Sequence, residues 1–193
     1  MALSHSLGRR LTVRLQTLDL RIGVRIPASQ PTHFNDLAAI PMKHCHESLI
    51  DFPVVVDIPL LWGDHDAFGH VNNLVYLRWC ETARVEYLLR IGLWPSLPPA
   101  GIGPILASVT CDYKRPLTYP DTVHIGARVT RIGNRSFRMQ HRVWSQALDV
   151  VAAEVDSTIV ILDYGRNETV PVPEDCRKAI EELESKSVGS GQG

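Results

Sequence analysis

Between Trp62 and Asn73 the chain reads WGDHDAFGHVNN, which gathers Asp64, His65, Asp66 and His70 into one short polar stretch. A carboxylate in such a loop can act as a general base or as a nucleophile. Gly63 and Gly69 allow the sharp backbone turns that would aim it. The residues that follow read as a helix, whose first turn leaves backbone N–H groups unpaired and carries the positive end of the helix dipole. A carbonyl oxygen docked there would be polarised, so one segment offers both a base and an oxyanion site. Asp66, beside the helix start, is the candidate catalytic carboxylate, with a plain turn or cap as its alternative; Asp64 reads as a turn cap. His65 and His70 read as structural or substrate-facing, because ligands drawn from one short loop rarely complete a tetrahedral metal site. Lys43 to Glu47 (KHCHE) also lacks a second ligand group at usable spacing, so no metal is expected.

The elements that must position this loop can be read from periodicity. Val54 to Leu61 is a β-branched run closed by the loop, which predicts a strand. After Asn72 and Asn73 the period changes: Leu77, Cys80, Arg84, Leu88 and Ile91 recur at three and four, and Leu74, Val75, Val85 and Tyr87 widen the apolar face. Asn72 or Asn73 suits the N-cap, Gly92 the C-cap, and Pro95 prevents continuation. Four strand-like stretches follow, Ile105 to Lys114, Thr122 to Arg131, Ser136 to Ser145 and Val150 to Leu162, joined by short turns that predict an antiparallel meander. In the third, Phe137, Met139, His141 and Val143 share one face. Five antiparallel strands with one amphipathic helix must bury that helix against one sheet face, an α+β two-layer domain. Trp79, Tyr87 and Trp94 read as core or interface packing rather than a stacking platform.

The run GDHDAFGHVNNLVYLRWCETAR, Gly63 to Arg84, resembles the signature of the hotdog thioesterases of the 4-hydroxybenzoyl-CoA thioesterase type. The downstream runs DYKRPLTYPD and RIGNRSF resemble the family's second and third strands. The resemblance spans roughly residues 52 to 165 and implies a hotdog fold, a five-stranded antiparallel sheet wrapped around one long central helix. It implies an acyl-CoA thioesterase in which Asp66, the second acid of the G-D-x-D pattern, attacks the thioester or activates water, while the Asn73 N–H holds the oxyanion. Basic groups near the latter hairpin contact coenzyme A phosphates in relatives, which maps that role onto Arg135 with Ser136 beside it; an ordinary exposed charge is the alternative for Arg135, Lys114 and Arg115. Asn72 is a cap or a substrate contact, and His70 faces substrate. Glu81 is a secondary candidate, since some relatives use a helix acid, and otherwise forms an i,i+3 pair with Arg84. No cofactor is implied, coenzyme A being part of the substrate. Relatives form dimers with a continuous sheet, often tetramers, with active sites at the dimer interface. Two rivals stay open: a hotdog hydratase or dehydratase, which the Asp66-to-His70 spacing permits, and a non-catalytic acyl-CoA sensor.

The 193 residues and formal charge of −1 give no general pull toward nucleic acid or anionic membrane, and no stretch is long and apolar enough for a span. The four dispersed cysteines suggest cytosolic thiols, and a cytoplasmic location is expected. Residues 1 to 50 differ from the rest, with Arg9, Arg10, Arg14, Arg21 and Arg25 before Pro27, Pro31 and Pro41. They read as a leader, disordered or an upstream misreading with Met42 as the start, since Val24 to Pro27 can be encoded by a sequence like a transfer RNA T-arm. A mitochondrial presequence is the alternative. The expected domain is 51–172, followed by a polar helix and tail over 173–193.

Overall fold

The computed structural model describes residues 46–93 and 101–189, the side chains of 186–189 excepted, all within the compact unit Met42–Gly193. The expectations for residues 1–45, and for Trp94 and Pro95, lie outside the described residues. In chain order the elements are β1 (Val54–Pro59), α1 (Asn73–Arg90), β2 (Ile102–Tyr113), β3 (Thr122–Ile132), β4 (Ser136–Ser145), β5 (Val150–Asp163), β6 (Glu168–Thr169) and α2 (Glu174–Gly189). The sheet runs β1-β3-β4-β5-β2, all neighbours antiparallel, with the two-residue β6 on β5. This is the hotdog fold, with α1 packed on one face of the curled sheet.

The expected meander holds for β3, β4 and β5 but not for β2, which pairs with β5 at the far edge. The segment after β2 does not turn back as a hairpin. It crosses the start of α1, where the fully buried Leu117 accepts the Val71 N–H at 2.9 Å. A short connection between two strand-like runs therefore spans the end of the sheet instead of joining neighbours.

Helix α1 ends as its sequence predicts: Gly92 takes φ +69 just past the last turn, and Leu93 N–H returns to the Leu88 carbonyl at 2.9 Å. Its buried face keeps the expected Val75, Cys80, Arg84, Tyr87, Leu88 and Ile91 but is rolled toward Tyr76, Trp79 and Ala83 and away from Leu74. Val75, Tyr76, Trp79, Cys80, Ala83, Tyr87 and Leu88 face the sheet, whereas Leu74 is exposed. The sheet contacts set this roll. Each fully buried large side chain contributes about 1.5–3 kcal/mol relative to exposure, so the choice falls to the wide Trp79 and Tyr87 face. The inward set on β4 is the predicted one, Phe137, Met139, His141 and Val143, all buried.

Residues 46–53 cover the opposite face of the sheet. Leu49 and Phe52 are buried with Trp144, and the Phe52 ring lies where a Cβ on Gly126 would sit, 2.6 Å from it, so that strand position accepts only glycine. Arg128 and Arg142 hold their guanidinium groups 4.9 and 5.2 Å from the same ring centre.

The C-terminal helix is polar outside, as read, but Cys176 and Ile180 enter the main core with Val172. Glu184 fastens α2: one carboxylate oxygen accepts the Tyr87 hydroxyl at 2.6 Å and the Val129 N–H at 2.7 Å. Burial raises the Glu184 pKa above its ordinary value, opposed by those two hydrogen bonds and by Arg128. An acid raised on folding favours the folded state most below its unfolded pKa of 4.5, and that contribution is lost as pH rises through the folded value. Glu184→Gln keeps the acceptor without the charge, so its urea midpoint is expected to improve relative to wild type as pH rises from 4.5 toward about 7. Glu184→Ala, leaving Tyr87 and Val129 without their acceptor, is expected to cost about 1–3 kcal/mol in the same titration.

Candidate functional site

The loop before α1 is built by its two acids, which divide the work. Asp64 is 5% exposed; its carboxylate accepts the Leu61 N–H at 2.9 Å and Arg78 of α1 at 2.5 Å, and its carbonyl accepts the Asn72 N–H at 2.9 Å. Asp64 is thus the turn cap its sequence context suggests, and more, since it clamps the loop to the second turn of the helix. His65 is structural too. Its Nδ1 is 3.0 Å from the Trp62 carbonyl and its Nε2 accepts the Tyr119 N–H at 2.9 Å, so both ring nitrogens are committed.

Asp66 is held differently. Its N–H donates to the His70 carbonyl at 2.8 Å and its own carbonyl accepts the Gly69 N–H at 3.1 Å, with Gly69 at φ +78 closing the turn. Oδ1 accepts the Phe68 N–H at 2.8 Å and, more weakly, the His70 N–H at 3.4 Å. Oδ2 accepts nothing among the described residues. The carboxylate is therefore oriented through one oxygen while the other is available, and the cap and the chemical reading of Asp66 are compatible.

At the helix start Asn72 is the N-cap, its Oδ1 accepting the Leu74 N–H at 2.9 Å and its carbonyl the Val75 N–H at 2.9 Å. Asn73, the first helical residue, makes no backbone hydrogen bond through its N–H among the described residues. Asp66, His70 and Asn73 line one side of a cavity of about 350 Å³; Tyr113, Lys114 and Arg115 line the other, with Tyr76 between. The Tyr113 hydroxyl crosses to donate to the Asn73 carbonyl at 2.9 Å, and its ring meets Tyr76 edge-on at 5.2 Å. Burial pushes the Tyr113 pKa up to about 12, with the neighbouring Cys111 adding to it, so the phenol stays a donor.

Of the residues singled out from the sequence, the structure brings Asp66, His70 and Asn73 to this cavity and sets Asn72 beside it as a cap. It does not bring Glu81, Arg135 or Ser136 there within one chain. Glu81 lines a second cavity further along α1 and lies 3.8 Å from Arg84. Arg135 donates to Thr169 at 3.1 Å, and Ser136 opens β4 opposite Val160. The basic groups at the cavity are instead Lys114, ion-paired with Glu154, and Arg115. Sequence reasoning does not find Tyr113 and Tyr76. Strand parity offers a signal for Tyr113, which shares its β2 face with Cys111 and Val109. Among the described residues no three His, Cys, Asp or Glu side chains converge as a metal site, and no helix is long and apolar enough to cross a membrane.

The profile of the thioesterase-like superfamily matches residues 60–180. Among solved structures, a thioesterase complexed with coenzyme A and Zn from Thermus thermophilus superposes with a TM-score of 0.62 at 34% identity, covering 70% of this chain and 96% of that one. The long-chain acyl-CoA thioesterase FadM of Escherichia coli is 21% identical over 118 residues, 61% of this chain and 89% of that protein. Protein THEM6 of Xenopus laevis is 27% identical over 121 residues, and the match spans only 58% of its length.

Removing the bridge across the cavity tests how it is held. Tyr113→Phe keeps the ring contact with Tyr76 and deletes the donor to the Asn73 carbonyl; it is expected to lower the unfolding free energy by about 0.5–1.5 kcal/mol, read by urea denaturation.

Proposed function

Because the chain belongs to the thioesterase-like superfamily, we propose that it is an acyl-CoA thioesterase, cleaving the thioester with water to a free acid and coenzyme A. One observation carries the reading: the Asp66 carboxylate, with Oδ2 unengaged among the described residues, and the Asn73 N–H, unpaired among them, line the same cavity. The thioester carbonyl oxygen docks on the Asn73 N–H, where the helix dipole adds to the hydrogen bond. Asp66 attacks the carbonyl carbon, or takes a proton from a water that does. The tetrahedral oxyanion then collapses and expels the thiolate of coenzyme A, leaving the free acid where water attacked, or a mixed anhydride on Asp66 that water then hydrolyses to the free acid where the carboxylate attacked. Neither route needs a strong general acid, a metal or an organic cofactor. His70 contacts the substrate at the rim, and Lys114 and Arg115 place positive charge where the phosphates of coenzyme A enter. The 4-hydroxybenzoyl-CoA subtype rests on the resemblance of the Gly63 to Arg84 run and of the downstream runs DYKRPLTYPD and RIGNRSF.

A second copy completes the site in this reading. Among the described residues strand β2 ends the sheet with an unpaired edge, and Ile105, Leu106 and Val109 on it are exposed. An apolar open edge of this kind favours pairing with an identical strand. The roles given to Arg135 and Ser136 then fall to the neighbouring copy, and sedimentation is expected to show a dimer or tetramer; a monomer at working concentration would remove that part.

The central test is thiol release from a panel of acyl-CoA esters with wild type and Asp66→Asn, run beside hydration of an enoyl-CoA. The variant is expected to lose about 10²–10⁴-fold in turnover. Wild-type rates in Asp66→Asn would overturn the role of Asp66, and hydration without thiol release would favour the hydratase, for which the presence of His70 at the same cavity is the supporting observation.

A further inference from the structure

A second cavity, of about 280 Å³, opens between α1 and β2, lined by Leu74, Leu77, Cys80, Leu106 and Val109 together with Arg78, Glu81 and Arg84. It lies on the same α1–β2 seam as the cavity that holds Asp66, lined by the α1 residues next to Asn73 and Tyr76. Moving up α1 from Asn73 and Tyr76 to Leu77 and Arg84 corresponds to moving back along β2 from Tyr113 to Val109 and Leu106. At about 1.5 Å per residue, the Arg84 Cα lies about 16 Å along the helix from Asn73, and a helical side chain leans back toward the N-terminus. The walls are apolar. The far end is not.

Arg84 is 8% exposed, and its guanidinium donates no hydrogen bond among the described residues. Its one ionic neighbour, Glu81, stands 3.8 Å away from a side chain 64% exposed, where water screens the pair. Arg78 cannot compete for a ligand in the same way, since it is committed to Asp64. Behind Arg84, on the sheet, the fully buried His141 completes no hydrogen bond through either ring nitrogen, and the buried Ser157 hydroxyl also lacks a partner. Burial, with the nearby Arg84 charge, pushes the His141 pKa down to about 3 although the Val155 backbone opposes it, so the ring is neutral and adds no second charge. A sunken guanidinium with all its donors to spare is costly unless something accepts from it. The planar fork fits an oxyanion held bidentately, and at the end of an apolar-walled cavity a carboxylate is the one an acyl chain can carry.

We infer that this cavity receives the distal end of the acyl chain and that Arg84 selects acyl groups ending in a carboxylate, that is, the mono-thioesters of dicarboxylic acids. The inference rests on the thioesterase reading and names the substrate class of that site: an acyl chain whose thioester lies at Asp66 and Asn73 and whose far carboxylate is met by Arg84, past the apolar walls of Leu74, Leu77, Leu106 and Val109.

The experiment compares ω-carboxyacyl-CoA and methyl-terminated acyl-CoA esters of matched chain length, by thiol release, in wild type, Arg84→Gln and Arg84→Lys. Wild type is expected to favour the carboxyl-terminated series in kcat/KM, and Arg84→Gln to reduce that ratio by at least about tenfold. Arg84→Lys, with the charge but not the fork, falls between and serves where the glutamine variant does not fold. A wild-type preference for methyl-terminated chains, or a ratio that neither variant changes, overturns the inference while leaving Asp66-dependent hydrolysis intact. A change of oligomeric state with the ratio unchanged also overturns it, assigning Arg84 to the contact between copies. Should no thioester be cleaved, the thioesterase reading fails by itself, and the cavity is judged by calorimetry with free dicarboxylates against monocarboxylates: binding of the former that Arg84→Gln abolishes supports the inference, and equal or absent binding refutes it.

Discussion

The buried carboxylate of Asp64 is the joint on which the site hangs. It holds the 3₁₀ turn at Leu61 on one oxygen and Arg78 of the helix on the other, while its carbonyl receives the Asn72 N–H. The consequence is geometric. With Asn72 fixed as the cap, its side chain serves Leu74 and its carbonyl serves Val75, which leaves the Asn73 N–H as the unengaged donor at the mouth of the helix. A helix end usually disposes of such groups into water or caps. Here the loop folds back through Asp66 and Gly69 and the strap from β2 to β3 crosses the start of the helix, so Asn73, though exposed, lines a cavity shared with Asp66.

That arrangement also depends on the sheet. Helix α1 is seated by Trp79, Ala83 and Tyr87, and the fit is reinforced from outside by α2, whose Glu184 reaches the Tyr87 hydroxyl through the core. Close packing of this kind transmits position along the helix, so the roll that buries Trp79 and Tyr87 also decides what is left outside. Leu74, exposed, and Leu77, half-buried against the core, line the cavity toward β2. Tyr113 lines the neighbouring cavity and donates to the Asn73 carbonyl, which ties the strand to the helix start.

Local signals make much of this legible in the sequence. Asp66, the cap at Asn72, the stop at Gly92 and the inward row of β4 all follow from spacing and from the chemistry of single turns. The features that sequence misplaces or hides share a cause, because each concerns a contact distant along the chain. The short segment after β2 points to a hairpin with β3, yet the partner of β2 is β5, which begins nearly forty residues after β2 ends. Periodicity finds Cys80, Arg84, Leu88 and Ile91 on the buried face of α1 but counts the exposed Leu74 with them and omits Tyr76 and Ala83, since it describes a face but not which flank of it meets the sheet. Tyr113 carries no mark of its role in its neighbours; its hydroxyl matters only because β2 passes the start of α1. Cys176 and Ile180 are hidden by the surrounding charge of α2, since an apolar pair one turn apart looks weak until a surface exists for it to meet.

Arg84 shows the same limit from the other side. Read along the helix, it is the basic half of an i,i+3 pair with Glu81, an interaction worth about 0.2–0.5 kcal/mol on an exposed face. In the fold it is sunk between α1 and the sheet, with Glu81 at 3.8 Å and largely in water, so the pair cannot account for the cost of placing the charge there. The α1–β2 seam presents a carboxylate, Asp66, in one cavity and a guanidinium, Arg84, in the next, where leucine and valine form the walls. An acyl chain lying along it would meet opposite chemistry at its two ends, and the apolar middle would set its length. Specificity in such a groove comes from the distal charge and not from the reacting group, because hydrophobic walls alone discriminate poorly between chains that differ only at their tips.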